Sequence, residues 1–99
     1  MNVRRVWVHP HATAETEAAV RWYRERSITA AERLVGEINQ AIERILEAPE
    51  RWPTGLRGTR KVKLPSFPFL IIYRESDHTI AVLAVAHGRR GPGYWKERA

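Results

Sequence analysis

The feature that most constrains this chain is an apolar stripe in its middle third. Ala31, Leu34, Val35, Ile38, Ala41, Ile42, Ile45 and Leu46 recur at i, i+3, i+4, i+7 spacing, a period that gathers them on one side of an α-helix about five turns long. Thr29 and Glu32 match a capping box at its start, and Pro49 ends it. A helix with one broad apolar face must lay that face on another element, because propensity alone leaves it marginal in water. Leu34, Ile38, Ile42 and Ile45 are therefore expected to face a sheet.

What precedes the stripe supplies a partner helix. From about Ala12 to Arg26, Thr13 can cap, Glu15 and Glu17 suit a helix N-terminus, and Ala18, Ala19, Trp22 and Tyr23 form a helical stripe. A link as short as Ser27–Ile28 requires the two helices to fold back as a hairpin. Ahead of them, residues 3 to 9, VRRVWVH, read as a strand stopped by Pro10.

After the hairpin, EAPERWPTGLRG is a loop, with two prolines and two glycines. Three strand candidates follow: TRKVKL, with Val62 and Leu64 opposite Lys61 and Lys63, then FPFLIIYR and TIAVLAVAH, both apolar on both faces. Continuous apolarity places the last two inside the sheet, whereas the charged first one has a face to water. They turn at Glu75–His78, around Ser76 and Asp77. The expected fold is α+β in the order β-α-α-β-β-β, a helical hairpin on one face of a small, mostly antiparallel sheet, with residues 1–99 as a single domain.

Charge speaks to partners rather than to fold. Seventeen Lys and Arg against eleven Asp and Glu give +6 and a pI near 10.5, which favours nucleic acid, acidic protein surfaces or anionic lipid. With no cysteine, disulfides, thiolate nucleophiles and Cys-type zinc sites are excluded. No apolar run suits a signal peptide or a membrane span, so a cytoplasmic protein without membrane partners is expected.

The candidate functional residues cluster in two stretches. Lys61 and Lys63 lie two apart on a strand, so their side chains share a face; Arg57 and Arg60 precede them, and Arg89, Arg90, Lys96 and Arg98 follow the last strand. Together they form either one electropositive surface opposite the helices or ordinary solvated charges on an edge strand and tail. Of four histidines, His87 ends a buried strand at the basic tail, as a general acid or base or as a backbone-bonded terminus. Tyr94 and Trp95 either stack on a ligand or close the core. No metal site, cofactor motif, Gly-rich phosphate loop or Ser-His-Asp order is present.

The ordered set WYRERS, AIERILEAPERWP, RKVKLPSFPFLIIYR and LAVAHGRRGPGYWKER resembles the RelE/ParE superfamily of bacterial toxins over nearly the whole chain. The resemblance implies a growth-inhibiting toxin of a type II toxin–antitoxin system, of the kind that stabilises plasmids, bound by a cognate acidic antitoxin. Two mechanisms occur in that superfamily: ParE-like members inhibit DNA gyrase, and RelE-like members cleave mRNA on the ribosome. For the nuclease, the resemblance puts Lys61, Lys63 and Tyr94 in catalytic roles, with Arg90 or Arg89 as a partial stand-in for a missing arginine and His87, from its place at the strand end, as the acid or base. It also puts Leu70 and Gly88 where two phosphate-stabilising arginines should stand. Loss of one such preorganised cation commonly costs on the order of 10² to 10³ in rate, so the chain is closer to the ParE branch. Arg57, Arg60, Lys61, Lys63, Arg89, Arg90, Tyr94, Trp95 and Arg98 are then expected to form a target- or antitoxin-binding surface.

Overall fold

A computed structural model describes residues 4–91 and 93–99. Its elements run β1 (Arg5–Val8), α1 (Pro10–Arg24), α2 (Ile28–Glu47), β2 (Thr59–Lys63), β3 (Phe69–Glu75) and β4 (Thr79–His87), with short 3-10 turns at Pro49–Arg51, Leu56–Gly58 and Lys96–Arg98. The first expected strand is thus trimmed at both ends, and its first residue, Val3, lies outside the described residues.

The helix starts differ from expectation because other residues cap better. Pro10 takes the first position of α1, where its fixed φ suits a helix and its missing N–H costs nothing. His9 is the cap, its Nδ1 accepting a 3.0 Å bond from the His11 N–H, and Thr13 lies inside the helix. Burial, then the nearby charges of His11 and Arg98, hold the His9 imidazole below its usual range. Ser27 caps α2, its Oγ accepting from the Ala30 N–H at 3.1 Å, so the Thr29–Glu32 capping box is not used. Extended backbone is available at Ser27 (φ −162°), whereas Thr29 already belongs to the first turn.

The four strands lie in the order β1-β4-β3-β2. β1 runs parallel to β4, pairing Val6 with Ile80 and Val8 with Val82, and the other neighbours are antiparallel. Between β3 and β4 the register moves from Ile72↔Ala84 to Tyr73↔Val82, leaving Leu83 as an extra residue. That bulge reverses the facing of β4 along its length. Val82 and Val85 consequently join Leu34, Ile38, Ala41, Ile45, Ile71 and Tyr73 under the hairpin, while Leu83, Ala84 and Ala86 join Ile72 on the far face.

Each face of the sheet is covered by a different element. The hairpin covers one, with Leu34 and Ile45 fully buried, although Ile42 is only partly buried and Val35 is 40% exposed. Trp95 closes the other face, 2% exposed against Ile72, Leu83, Ala84 and Ala86. A small domain has little apolar area to spare, so this C-terminal ring is part of the core. Gly93, at φ +79°, makes the turn into it, and a Cβ there would stand 3.1 Å from Leu56 Cδ2.

Candidate functional site

The site gathers at the C-terminal end of β4. Beyond His87 the chain turns past Gly88 and returns over the sheet, so that Arg90 and Tyr94 stand between two clefts. The first, of about 430 Å³, is lined chiefly by apolar and aromatic side chains of α1 and the sheet, among them Ala19, Trp22, Tyr23, Phe69 and Val85. The second, of about 200 Å³, opens on the far face between Lys61, Leu70, Gly88, Arg90, Tyr94 and Trp95. His87 borders both.

A carboxylate holds this arrangement together. Glu15 accepts from the Tyr94 hydroxyl at 2.7 Å, from both Arg98 terminal nitrogens at 3.1 and 3.2 Å, and from the Val85 N–H at 3.0 Å. Arg90 adds an ion pair at 3.6 Å and stacks its guanidinium 3.7 Å from the centre of the Tyr94 ring. Burial, reinforced by the bond to Glu15 and by its charge, pushes the Tyr94 hydroxyl up to about 12. Motif reasoning assigns Glu15 only to the helix N-terminus and not to the site, whereas α1 starts at Pro10 and has no acidic residue in its first turn. The signal was its place three residues after Ala12 and four before Ala19, both buried, which puts a carboxylate on the apolar stripe of α1.

The basic residues do not form the single surface that strand spacing suggested. Lys61 and Lys63 do share the exposed side of β2, and Lys61 Nζ sits 6.0 Å from the Trp95 ring centre. Arg60, one residue away, necessarily points to the other face. Its guanidinium donates to the carbonyl of Trp52 and pairs with Glu75 at 3.6 Å, tying the loop after α2 to the sheet. Arg98 is consumed by Glu15 and by the Leu83 carbonyl at 3.1 Å. Arg57 is exposed in a left-handed turn at φ 53°, away from both clefts, and Arg89 and Lys63 are exposed outside them. Of the proposed cations, Lys61 and Arg90 alone reach the second cleft among the described residues.

His87 and Trp95 are placed as parts of the fold. His87 Nδ1 accepts from the Arg89 N–H at 3.1 Å, and its ring meets Phe69 edge-on at 5.3 Å. Trp95 is buried and offers no exposed ring for stacking. Leu70 and Gly88, the positions where arginines would serve phosphoryl chemistry, both open onto the same cleft as Lys61 and Tyr94. No group of three or more metal-ligating side chains occurs among the described residues, and no helix is long and apolar enough to cross a membrane.

Comparison with known proteins matches this architecture. Over 90 residues the chain is 29% identical to Toxin ParE2 of Mycobacterium tuberculosis, strain CDC 1551 / Oshkosh, spanning 90% of this chain and 86% of that protein. The same values hold for Toxin ParE2 of strain ATCC 25618 / H37Rv. A solved structure described as the chromosomal ParDE TA system from P. aeruginosa shares the fold, with a TM-score of 0.72 at 19% identity over 86% of this chain and 96% of that one. Residues 6–92 match the family model of the ParE toxin of type II toxin–antitoxin system, parDE. That span takes in both helices of the hairpin and every strand but for Arg5, the first residue of β1, and by it the chain belongs to the ParE toxin family.

Proposed function

We propose that this toxin arrests bacterial growth from the cytoplasm by binding DNA gyrase, and that a cognate acidic antitoxin neutralises it. The observation that carries the reading is the chemistry of the second cleft. RNA cleavage by a neighbouring 2′-hydroxyl needs a base, an acid and cations for the charge that builds on phosphorus. Here Leu70 and Gly88 line the cleft, and the Tyr94 hydroxyl is bonded to Glu15 with its acidity pushed to about 12. A hydroxyl so weakly acidic, already given to a carboxylate, is a poor proton shuttle near neutral pH. Arrangements of this kind serve recognition: beside the aromatic-lined first cleft stand a half-exposed Arg90 and an exposed Lys61.

Inducing the chain in a bacterium, with gyrase supercoiling and mRNA integrity followed in parallel, tests the assignment. Loss of supercoiling with intact mRNA is expected. Cleaved mRNA with normal supercoiling would overturn it in favour of a ribosome-dependent nuclease built on Lys61, Arg90 and Tyr94.

A further inference from the structure

The far face of the sheet is only half covered. Trp95 packs on Ile72, Leu83, Ala84 and Ala86, toward the C-terminal end of β4, and the half nearer the β3–β4 turn is left open. There Trp7 pairs with Ala81, Ala81 with Arg74, and Arg5 with Thr79 one row further on. Partners directly opposite in a sheet share a face, and side chains alternate along each strand. Tyr73 turns to the hairpin and Ile72 away from it, so Arg74 faces away as well, and Trp7 and Arg5 with it. Lys61, opposite Ile72, and Lys63, opposite Leu70, carry the same face onto β2.

The chemistry of this face is one-sided. Arg5, Arg74, Lys61 and Lys63 are all exposed, and none of them pairs with a carboxylate among the described residues. Trp7 stands beside them 48% exposed, its ring meeting His9 edge-on at 5.6 Å. Residues 10–47, which form the helical layer, carry five Arg against seven Glu, whereas the rest of the chain carries twelve Lys and Arg against four Asp and Glu. The excess positive charge therefore belongs to the sheet layer and its loops.

We infer that the open half of this face binds a single-stranded nucleic acid, Trp7 stacking on an unpaired base while Arg5, Arg74, Lys61 and Lys63 meet the phosphodiester backbone. Every base has a π-face, so an exposed indole among uncompensated cations supplies sequence-tolerant stacking together with backbone attraction. Four strands about 4.8 Å apart span about 14 Å, room for a short run of nucleotides. A duplex keeps its bases stacked and hidden from an indole standing on a flat sheet. A lipid surface is served poorly, because Trp7 is the one exposed large apolar side chain that the described strands present on this side. The inference goes beyond the gyrase reading and stands without it.

The test is fluorescence anisotropy of labelled oligo-dT, oligo-rU and a DNA duplex, each about 15 nucleotides long, with the purified chain at several salt concentrations. Binding of the single strands on the order of 10⁻⁵ M at physiological salt is expected, with a log–log salt slope of about −2.8 for four engaged cations. The tighter of oligo-dT and oligo-rU supports the site and names its source. Arg5→Gln and Arg74→Gln should each flatten the slope by about 0.7. Trp7→Ala should weaken binding about 5- to 100-fold, and Trp7→Phe, which keeps a ring, should restore most of it. Arg21→Gln with Arg24→Gln removes two charges from exposed positions on α1 and should leave binding within about threefold, since screening confines such effects to about 10 Å. An equal loss from that pair would mean net charge rather than this face, and overturns the site. So does a duplex bound as tightly as oligo-dT with no effect of Trp7→Ala. Poly-glutamate that displaces the oligonucleotide as effectively as unlabelled oligo-dT assigns the face to an acidic protein, and binding to phosphatidylcholine–phosphatidylserine vesicles without oligonucleotide binding assigns it to a membrane; either overturns the inference. Should Trp7→Ala fail to fold, the salt slopes of the two arginine variants decide.

Discussion

Glu15 and Tyr94 stand 79 positions apart in sequence, yet the tyrosine hydroxyl donates a 2.7 Å hydrogen bond to the Glu15 carboxylate. Arg98 grips the same carboxylate through two nitrogens, so the first helix and the last turn are fastened at one point. The fastening holds Trp95 over the far face of the sheet and sets Arg90 and Tyr94 between the two clefts.

Removing the carboxylate should therefore loosen the tail more than the hairpin. Glu15→Ala leaves Arg98, Tyr94 and the Val85 N–H without their acceptor, and should cost about 1.5–3 kcal/mol, the range for hydrogen bonds to charged groups. Thermal unfolding gives the total. Hydrogen exchange should place the earliest opening in residues 93–99; an unchanged melting temperature would show that the clasp contributes nothing net.

Alkaline pH should unlock the same region. Burial, and for Tyr94 also Glu15, push both the Tyr73 and Tyr94 hydroxyls from 10.0 up to about 12, and the Tyr73 hydroxyl donates to the Pro49 carbonyl. A raised folded value means that the unfolded chain releases these protons first. The stability they contribute is complete below pH 10 and falls away between pH 10 and 12, by at most about 2.7 kcal/mol for each tyrosine and less once solvent screening is allowed for. Denaturant titrations across that window should show the fall, and Tyr94→Phe should roughly halve it. Ultraviolet titration showing both phenols ionising at pH 10 in the folded protein would contradict this.

Core substitutions should separate the inner and outer rows of α2. Ile45, fully buried, should cost about 2–5 kcal/mol when replaced by Ala, against roughly 1–2 kcal/mol for the partly buried Ile42. Equal costs from chemical denaturation would mean that the hairpin sits differently on the sheet.

Variants at the clefts should distinguish binding from catalysis. Tyr94→Phe keeps the ring under Arg90 and should still inhibit growth, whereas Lys61→Glu with Arg90→Glu should slow association with an acidic partner and flatten its salt dependence. Both side chains are solvent-accessible, so the fold should survive, as circular dichroism can verify. A folded Tyr94→Phe variant that no longer inhibits growth would favour a proton-transferring tyrosine.

The order of elements, the hairpin and the interior position of β3 and β4 are all determined by the sequence alone, because each rests on a local period: 3.6 for the stripe from Ala31 to Leu46, and continuous apolarity for FLIIY and IAVLAVA. Even the sharing of a face by Lys61 and Lys63 follows from a period of two. Tertiary structure decided what no local period encodes. It gave α1 its His9–Pro10 start, set β1 parallel to β4, and inserted Leu83 as a bulge that turns Val85 toward the hairpin and Ala86 away. It divided the basic residues, sending Arg60 to the loop carbonyls and Arg98 to Glu15 while leaving Lys61 and Arg90 at one cleft. Arg98 and Glu15 stand 83 positions apart, and even the contacts of Arg60 with the loop cross from one element to another, so their partners are fixed by sheet order and by where the chain reverses. A part-buried carboxylate then selects, among several nearby arginines, the ones that can satisfy it.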